Sequence, residues 1–238
     1  RLPSLNGLRG WGALSVLLYR VFVVGFPSSP TQADALRKVF VFNGELAVWV
    51  FFVVSGFSLS IGFQQTGDRL TVLRTAVGRY FRLAIPISAA ALLVWAAGPF
   101  LVHVSERPLE WRPFVSHAPS IVEAVGFSFY DVFFRYSAQT SLMPQLWTMA
   151  FEFYGSVAVF LSLMVFGRWR FREAGYIGVA ACLYFVHPIY CAFMVGAALA
   201  AMFAHGVRLQ VLSLWLLPAV LVGCAWLARN EAGLASIP

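Results

Sequence analysis

The sequence predicts an all-α fold, a polytopic transmembrane helical bundle of about six or seven spans, on three observations. Only 11% of the 238 residues are charged and 60% are hydrophobic, against roughly 25% charged residues in a soluble domain. Mean hydropathy is +0.78. Several apolar runs are long enough to cross a bilayer, which takes about 20 residues, and arginine-rich stretches separate them. No internal repeat or low-complexity tract interrupts the pattern, so residues 1–238 read as one domain.

The net charge of +7 is not a nucleic-acid signature in this setting. All but one of the 17 basic residues are arginine, and many sit just outside apolar runs, where positive charge sets membrane orientation. The lipid bilayer is the expected partner, and no nucleic acid is expected. Three cysteines, Cys182, Cys191 and Cys224, lie in apolar runs without CxxC spacing. They suggest small buried core residues, not a disulfide framework, and no metal site is expected.

The elements follow in order. Trp11–Phe26 is the first span, and it lacks the small-residue cleavage site of a removable signal. A turn-rich linker, Pro27–Pro30, and a polar stretch with Asp34, Arg37 and Lys38 come next. Val39–Phe63 is the second span. Gln64–Arg82 reads as a polar loop, with Arg69, Arg74, Arg79 and Arg82 against the single acid Asp68. Leu83–Val104 is the third span. Ser105–Thr140 is mixed, and its second part, IVEAVGFSFYDVFFRY, suits an interfacial or re-entrant amphipathic helix. Leu146–Gly167 is the fourth span, followed by Arg168, Arg170 and Arg172. Ala174–Ala204 is long for one helix and short for two, with Pro188 in its middle. A kinked single span and two short helices both fit. Val211–Leu227 is the last span. The arginine-rich loops after spans two and four belong on the cytoplasmic side, which places the N-terminus there too.

Ionisable groups inside a span are costly, by about 2.5–3.5 kcal/mol on insertion scales. Arg20, Glu45 and Glu152 occupy such positions. Each lies six residues from the outer end of its span, or roughly 9 Å inside the outer face at 1.5 Å per residue. Three charges at one depth fit one polar cavity. The bland reading of Arg20 is an ion pair with Glu45 or Glu152 that holds spans together. For Glu45 an interhelical hydrogen bond competes with a catalytic role. Ser55 and Gly56 suit close helix packing.

A second cluster lies toward the cytoplasmic side. Arg9 opens the first helix, and Arg79 and Arg82 share a helix face by their i, i+3 spacing. Guanidinium groups match phosphates bidentately; as plain positive-inside anchors they need no ligand. Arg69 and Arg74 fit the anchoring role. Arg9 and Arg20 also share a face, about 16 Å apart along the axis. A nucleotide with a long flexible arm would span that distance. His103 and His187 read as hydrogen-bonded structural histidines, and His117 and His205 as loop residues.

Four motifs in order carry a family resemblance. LNGLRGWGALSVLLYR resembles the opening helix of the acyltransferase 3 family, integral membrane enzymes that O-acylate sugars and other hydroxyl compounds. GELAVWVFFVVSGFSLS resembles that family's FFxxSGF helix, RYFRLAIP its R-x-x-R segment and LWTMAFEFYGS its LWxLxxEFxxY segment. The resemblance covers most of Leu5–Ser156. It implies acyl-CoA, acetyl-CoA in the first instance, as donor substrate, bound by Arg9, Arg79 and Arg82, and a hydroxylated acceptor such as a carbohydrate. It also implies an acid at Glu152. Family members have about ten spans, so a chain opening on Arg1 and ending at Pro238 reads as an excerpt lacking the last few. The departure falls at Arg20, where the family pattern has its general-base histidine. Arginine stays protonated and accepts no hydrogen bond, so it cannot take a proton from a hydroxyl. The expectation is therefore a membrane O-acyltransferase whose activity is in question at Arg20. The rival is a non-enzymatic polytopic protein, transporter-like or a partner-binding pseudoenzyme. Against a transporter stands the lack of inverted repeats and paired broken helices.

Overall fold

The computed structural model describes residues 3–19, 21–22, 43–101, 120–137, 141–143 and 146–206. Among them every regular element is helical. The linker at Pro27–Pro30, the polar stretch 34–38, His103, His117, Cys224 and the run Val211–Leu227 lie outside the described residues.

The described residues form seven helices. They are α1 (Pro3–Leu18), α2 (Gly44–Thr66), α3 (Arg69–Leu101), α4 (Ile121–Phe134, built around a π turn at Phe127–Asp131), α5 (Trp147–Phe166), α6 (Arg172–Tyr184) and α7 (Ile189–Ala204). Three are long and apolar enough to cross a membrane, over Leu46–Thr66, Arg69–Ala97 and Trp147–Phe166, and α7 is a shorter apolar helix. The described residues thus carry three such spans; the expected six or seven are not reached within them.

The helix ends have local causes. Asn43 caps α2, its side chain accepting from the Leu46 N–H at 2.9 Å, which supplies a partner for one orphan donor of the first turn. At the other end Gly67 adopts φ 66° and donates to the Phe63 carbonyl at 2.7 Å. That left-handed cap is cheap only for glycine. Ser120 and Glu123 form a reciprocal capping box at the start of α4.

The expected polar loop over Gln64–Arg82 is corrected by this structure. The chain turns only at Gly67 and Asp68, and Arg69–Leu101 is one continuous helix of 33 residues. Between Asp68 and Pro86 nothing breaks a helix, and Leu70, Val72, Leu73 and Val77 alternate with the arginines at helical spacing. Counting charge alone hid that apolar content. Ala174–Ala204 resolves into two helices, α6 and α7, with Pro188 at the N-cap of the second. Proline suits a helix start because its missing N–H is not needed there.

The chain divides into two compact units, Arg1–Arg69 with Ala158–Pro238, and Leu70–Val157. In the first unit α2 packs against α1 and α7, and α6 packs against α7. The α2–α7 crossing is a backbone approach. A Cβ added at Gly56 would fall on the Phe193 carbonyl, and one at Gly196 on the Val53 carbonyl and within 2.6 Å of the Phe57 nitrogen. Phe52 stacks on Phe193 at 4.8 Å beside this crossing. Gly56 is therefore the close-packing residue its position suggested, and Ser55 beside it is fully buried. Below the crossing, buried Gln64 donates from Nε2 to the Tyr176 hydroxyl at 2.8 Å. Cys191 Sγ donates to the Ala180 carbonyl at 3.1 Å, tying α7 to α6. Cys182 departs from expectation: it is exposed on α6, because it sits on the helix face turned away from α7.

In the second unit the core is Ala84, Ile87 and Ala91 of α3 against Ala124, Phe127, Val132 and Phe133 of α4, with Met143, Met149 and Phe153 closing it. The same α3 leaves Leu73, Val77, Phe81, Ile85, Leu93 and Trp95 exposed. Apolar side chains on that scale in water would be an association liability; facing lipid they are in their own solvent. The segment 121–134 is helical as expected, with apolar residues both buried and exposed.

Candidate functional site

Arg79 and Glu152 meet in the second unit. Arg79 lies ten residues, about 15 Å, into α3, and Glu152 lies in the first turns of α5. Arg79 Nη2 donates to Glu152 Oε1 at 2.6 Å, and the two side chains are 7% and 5% exposed. Arg79 Nε donates to Ser156 Oγ at 2.6 Å, and the Ser156 hydroxyl in turn donates to the Glu152 carbonyl. Glu152 and Ser156 are four apart, so one face of α5 presents both.

Aromatic rings wall this polar group. Tyr80 and Phe153, the neighbours of Arg79 and Glu152, are 6.2 Å apart. Phe133 of α4 lies 5.4 Å from each. The Tyr80 hydroxyl donates at 2.6 Å to the carbonyl of Phe129, inside the π turn of α4, a helix irregularity that alters the local i→i−4 pattern. An ion pair surrounded by rings and helix backbone sits in a low-dielectric setting, where its Coulomb attraction and its desolvation penalty are both large.

The depths expected from the sequence divide the charges differently, with Glu152 at the outer depth beside Arg20 and Glu45, and Arg79 at the end of a cytoplasmic loop. The structure overturns that division for Glu152 and Arg79, which touch. The physical reason is the early start of α3, which carries Arg79 well into an apolar helix instead of leaving it at a loop end. Arg82, one turn on, is exposed. Arg9 lies in α1 and Glu45 in α2, and their side chains, with all of Arg20, lie outside the described residues. Ser156 was not singled out, although its i+4 spacing from Glu152 was a signal. Tyr80 and Gln64 carried none, since their partners are 49 and 112 residues away.

Two histidines, His187 and His205, fall among the described residues. His187 Nδ1 accepts from the Ile189 N–H at 3.3 Å, at the start of α7. Burial lowers its pKa from the usual histidine value, because the charged imidazolium is the form that loses hydration. His205 follows α7, with Nδ1 3.2 Å from Glu173 Oε1. Among the described residues no group of His, Cys, Asp and Glu has the make-up of a metal site.

Comparison with known proteins gives one finding. Neither a curated relative nor a solved structure matches this chain. The family model described as an acyltransferase domain, that of the acyltransferase 3 family, matches residues 2–235. With nearly its whole length matched, and with helices apolar and long enough to cross a bilayer, the chain belongs to the acyltransferase 3 family of integral membrane proteins.

Proposed function

We propose that the protein transfers an acyl group, acetyl in the first instance, from acyl-CoA to a hydroxyl of a sugar or similar acceptor. The observation that carries this reading is the Arg79–Glu152 pair, buried in the apolar helices of an acyltransferase-family chain. Such a pair contributes little net stability compared with a well-packed apolar replacement. Its presence is better accounted for by a polar substrate.

In this reading Arg82, exposed, is the outer contact for the donor phosphates, and Arg79, three residues before it, is the inner one. Arg9 joins them on the strength of the resemblance. Guanidinium groups are suited to this because their forked donors match phosphate oxygens. The acceptor oxygen attacks the thioester carbon, the C–S bond breaks, and the CoA thiolate takes up a proton as it leaves. The proton lost by the acceptor hydroxyl needs a base. Arg20 stands at the base position of the family pattern and cannot serve. Glu45 and Glu152 are the carboxylates left for proton handling.

Two readings then separate in one experiment. As an enzyme limited at position 20, the protein transfers acyl groups slowly, and Arg20→His raises the rate by about 10²- to 10⁴-fold, the usual contribution of a positioned general base. As a pseudoenzyme, a reading favoured by Arg20 itself, it shows no turnover in either form. The assay follows labelled acetyl-CoA into membrane carbohydrate with and without the change. Equal, clearly enzymatic rates show that position 20 is not the base; equal inactivity supports the non-enzymatic role.

A further inference from the structure

A serine inside a helix usually donates its hydroxyl proton to the carbonyl four residues back. Ser58, Ser60, Ser88, Ser128 and Ser162 all do so here. Ser156 does the same toward Glu152, but it also receives a hydrogen bond from a charged side chain, Arg79 Nε at 2.6 Å. The hydroxyl has one proton and two lone pairs. With the proton committed to the backbone, the oxygen offers Arg79 an acceptor and nothing else. That donation also polarises the oxygen toward the guanidinium.

The geometry has a directional consequence. A guanidinium is a rigid plane with five N–H donors. Two donors engaged along one edge define the direction of that plane better than one does. Here Nε is held by Ser156 and Nη2 by Glu152, two anchors along one edge, and both come from one face of α5. Ser156 is 2% exposed and Arg79 7%, so water does not substitute for either anchor. Removing the serine oxygen leaves Nε–H buried without this acceptor.

We propose that Ser156 is a positioning residue: with Glu152 it fixes the plane of Arg79 so that the guanidinium meets the donor phosphates in one orientation. This rests on the donor-binding role given to Arg79 above. Glu152 supplies the charge, and Ser156 supplies the angle.

The test measures acetyl-CoA binding and thermal unfolding of the purified protein in lipid nanodiscs. Ser156→Ala weakens acetyl-CoA binding about tenfold, the effect of losing one hydrogen bond to a charged group. Ser156→Thr, which keeps a hydroxyl able to bond the same carbonyl, restores binding to near the wild-type value. In an Arg79→Gln background Ser156→Ala has no further effect on affinity, because the serine acts through the arginine. Ser156→Cys, similar in shape but a weak acceptor, gives the same loss if the alanine variant does not fold. Wild-type affinity in Ser156→Ala, with affinity lost in Arg79→Gln, overturns the positioning role alone. An equal loss from Ser156→Ala with and without Arg79 overturns it too, and marks the serine as a packing residue. Wild-type affinity in Arg79→Gln overturns the donor-binding reading, and the positioning role falls with it.

Discussion

Glu152→Gln is the sharpest probe of the buried pair. The change keeps the size of the side chain and one acceptor oxygen but removes the negative charge beside Arg79. The guanidinium is 7% exposed and its Nη2 lies 2.6 Å from the lost carboxylate oxygen. Breaking one side of a buried ion pair is destabilising by about 3–5 kcal/mol, because the remaining charge loses its counter-ion. Glutamine retains a hydrogen bond, so the lower end, about 3 kcal/mol, is expected. For a protein of this size each kcal/mol moves the midpoint by roughly 2–4 °C, so the expected fall is about 6–12 °C. Thermal unfolding followed by size-exclusion chromatography in detergent measures it. Glu173→Gln is the control. Its Oε1 lies 3.7 Å from Arg172 and 3.2 Å from His205, and it is a quarter exposed, so no more than about 1 kcal/mol is expected. The double change Arg79→Met with Glu152→Leu removes both charges and should recover most of the loss, since apolar replacement of a buried pair is often neutral or better. A fall no larger than that of Glu173→Gln, or a double variant as unstable as Arg79→Met alone, refutes the reasoning.

Three further outcomes are expected. Gly56→Ala and Gly196→Ala each force the α2 and α7 backbones apart and lower stability by about 1–3 kcal/mol or more; a fall under half a kcal/mol in the same unfolding assay contradicts the close crossing. Arg82→Gln removes the donor contact proposed for this exposed arginine, so on that proposal acetyl-CoA affinity falls by about one to two orders of magnitude while the unfolding midpoint stays within about 1 °C; titration calorimetry and the unfolding assay read the two quantities separately. His187 has a pKa below its unfolded value, near 6.5, so its contribution to stability is complete above about pH 6.5 and is lost as pH falls toward the folded pKa. Unfolding midpoints between pH 7.5 and 5.5 should fall less steeply for His187→Gln than for the wild type, and an identical slope removes His187 from the account.

The sequence alone determined that this is a helical membrane protein and which family pattern it follows. Both are local in origin. Runs such as 44–66 and 147–166 are apolar over the length a bilayer demands, and within lipid a backbone must satisfy its own hydrogen bonds, which leaves the helix for such runs. Expected bounds for α5, Leu146–Gly167, differ from the observed Trp147–Phe166 by one residue at each end. Where local signals conflicted, the sequence left alternatives or misled. It could not choose between one kinked helix and two over 174–204, since proline fits both a kink and a helix start. It read 64–82 as a loop because charge density outweighed helical spacing. What only the tertiary structure decided is which charges meet. Arg79 and Glu152 are 73 residues apart in the chain, and their contact depends on how far α3 extends below the apolar stretch and how α5 is rotated about its axis. Ser156 joins them only because that rotation puts residues 152 and 156 on the same arginine. Pairing at this range is set by the packing of whole helices around Ala84, Ile87, Phe133 and Phe153, and no single segment encodes it.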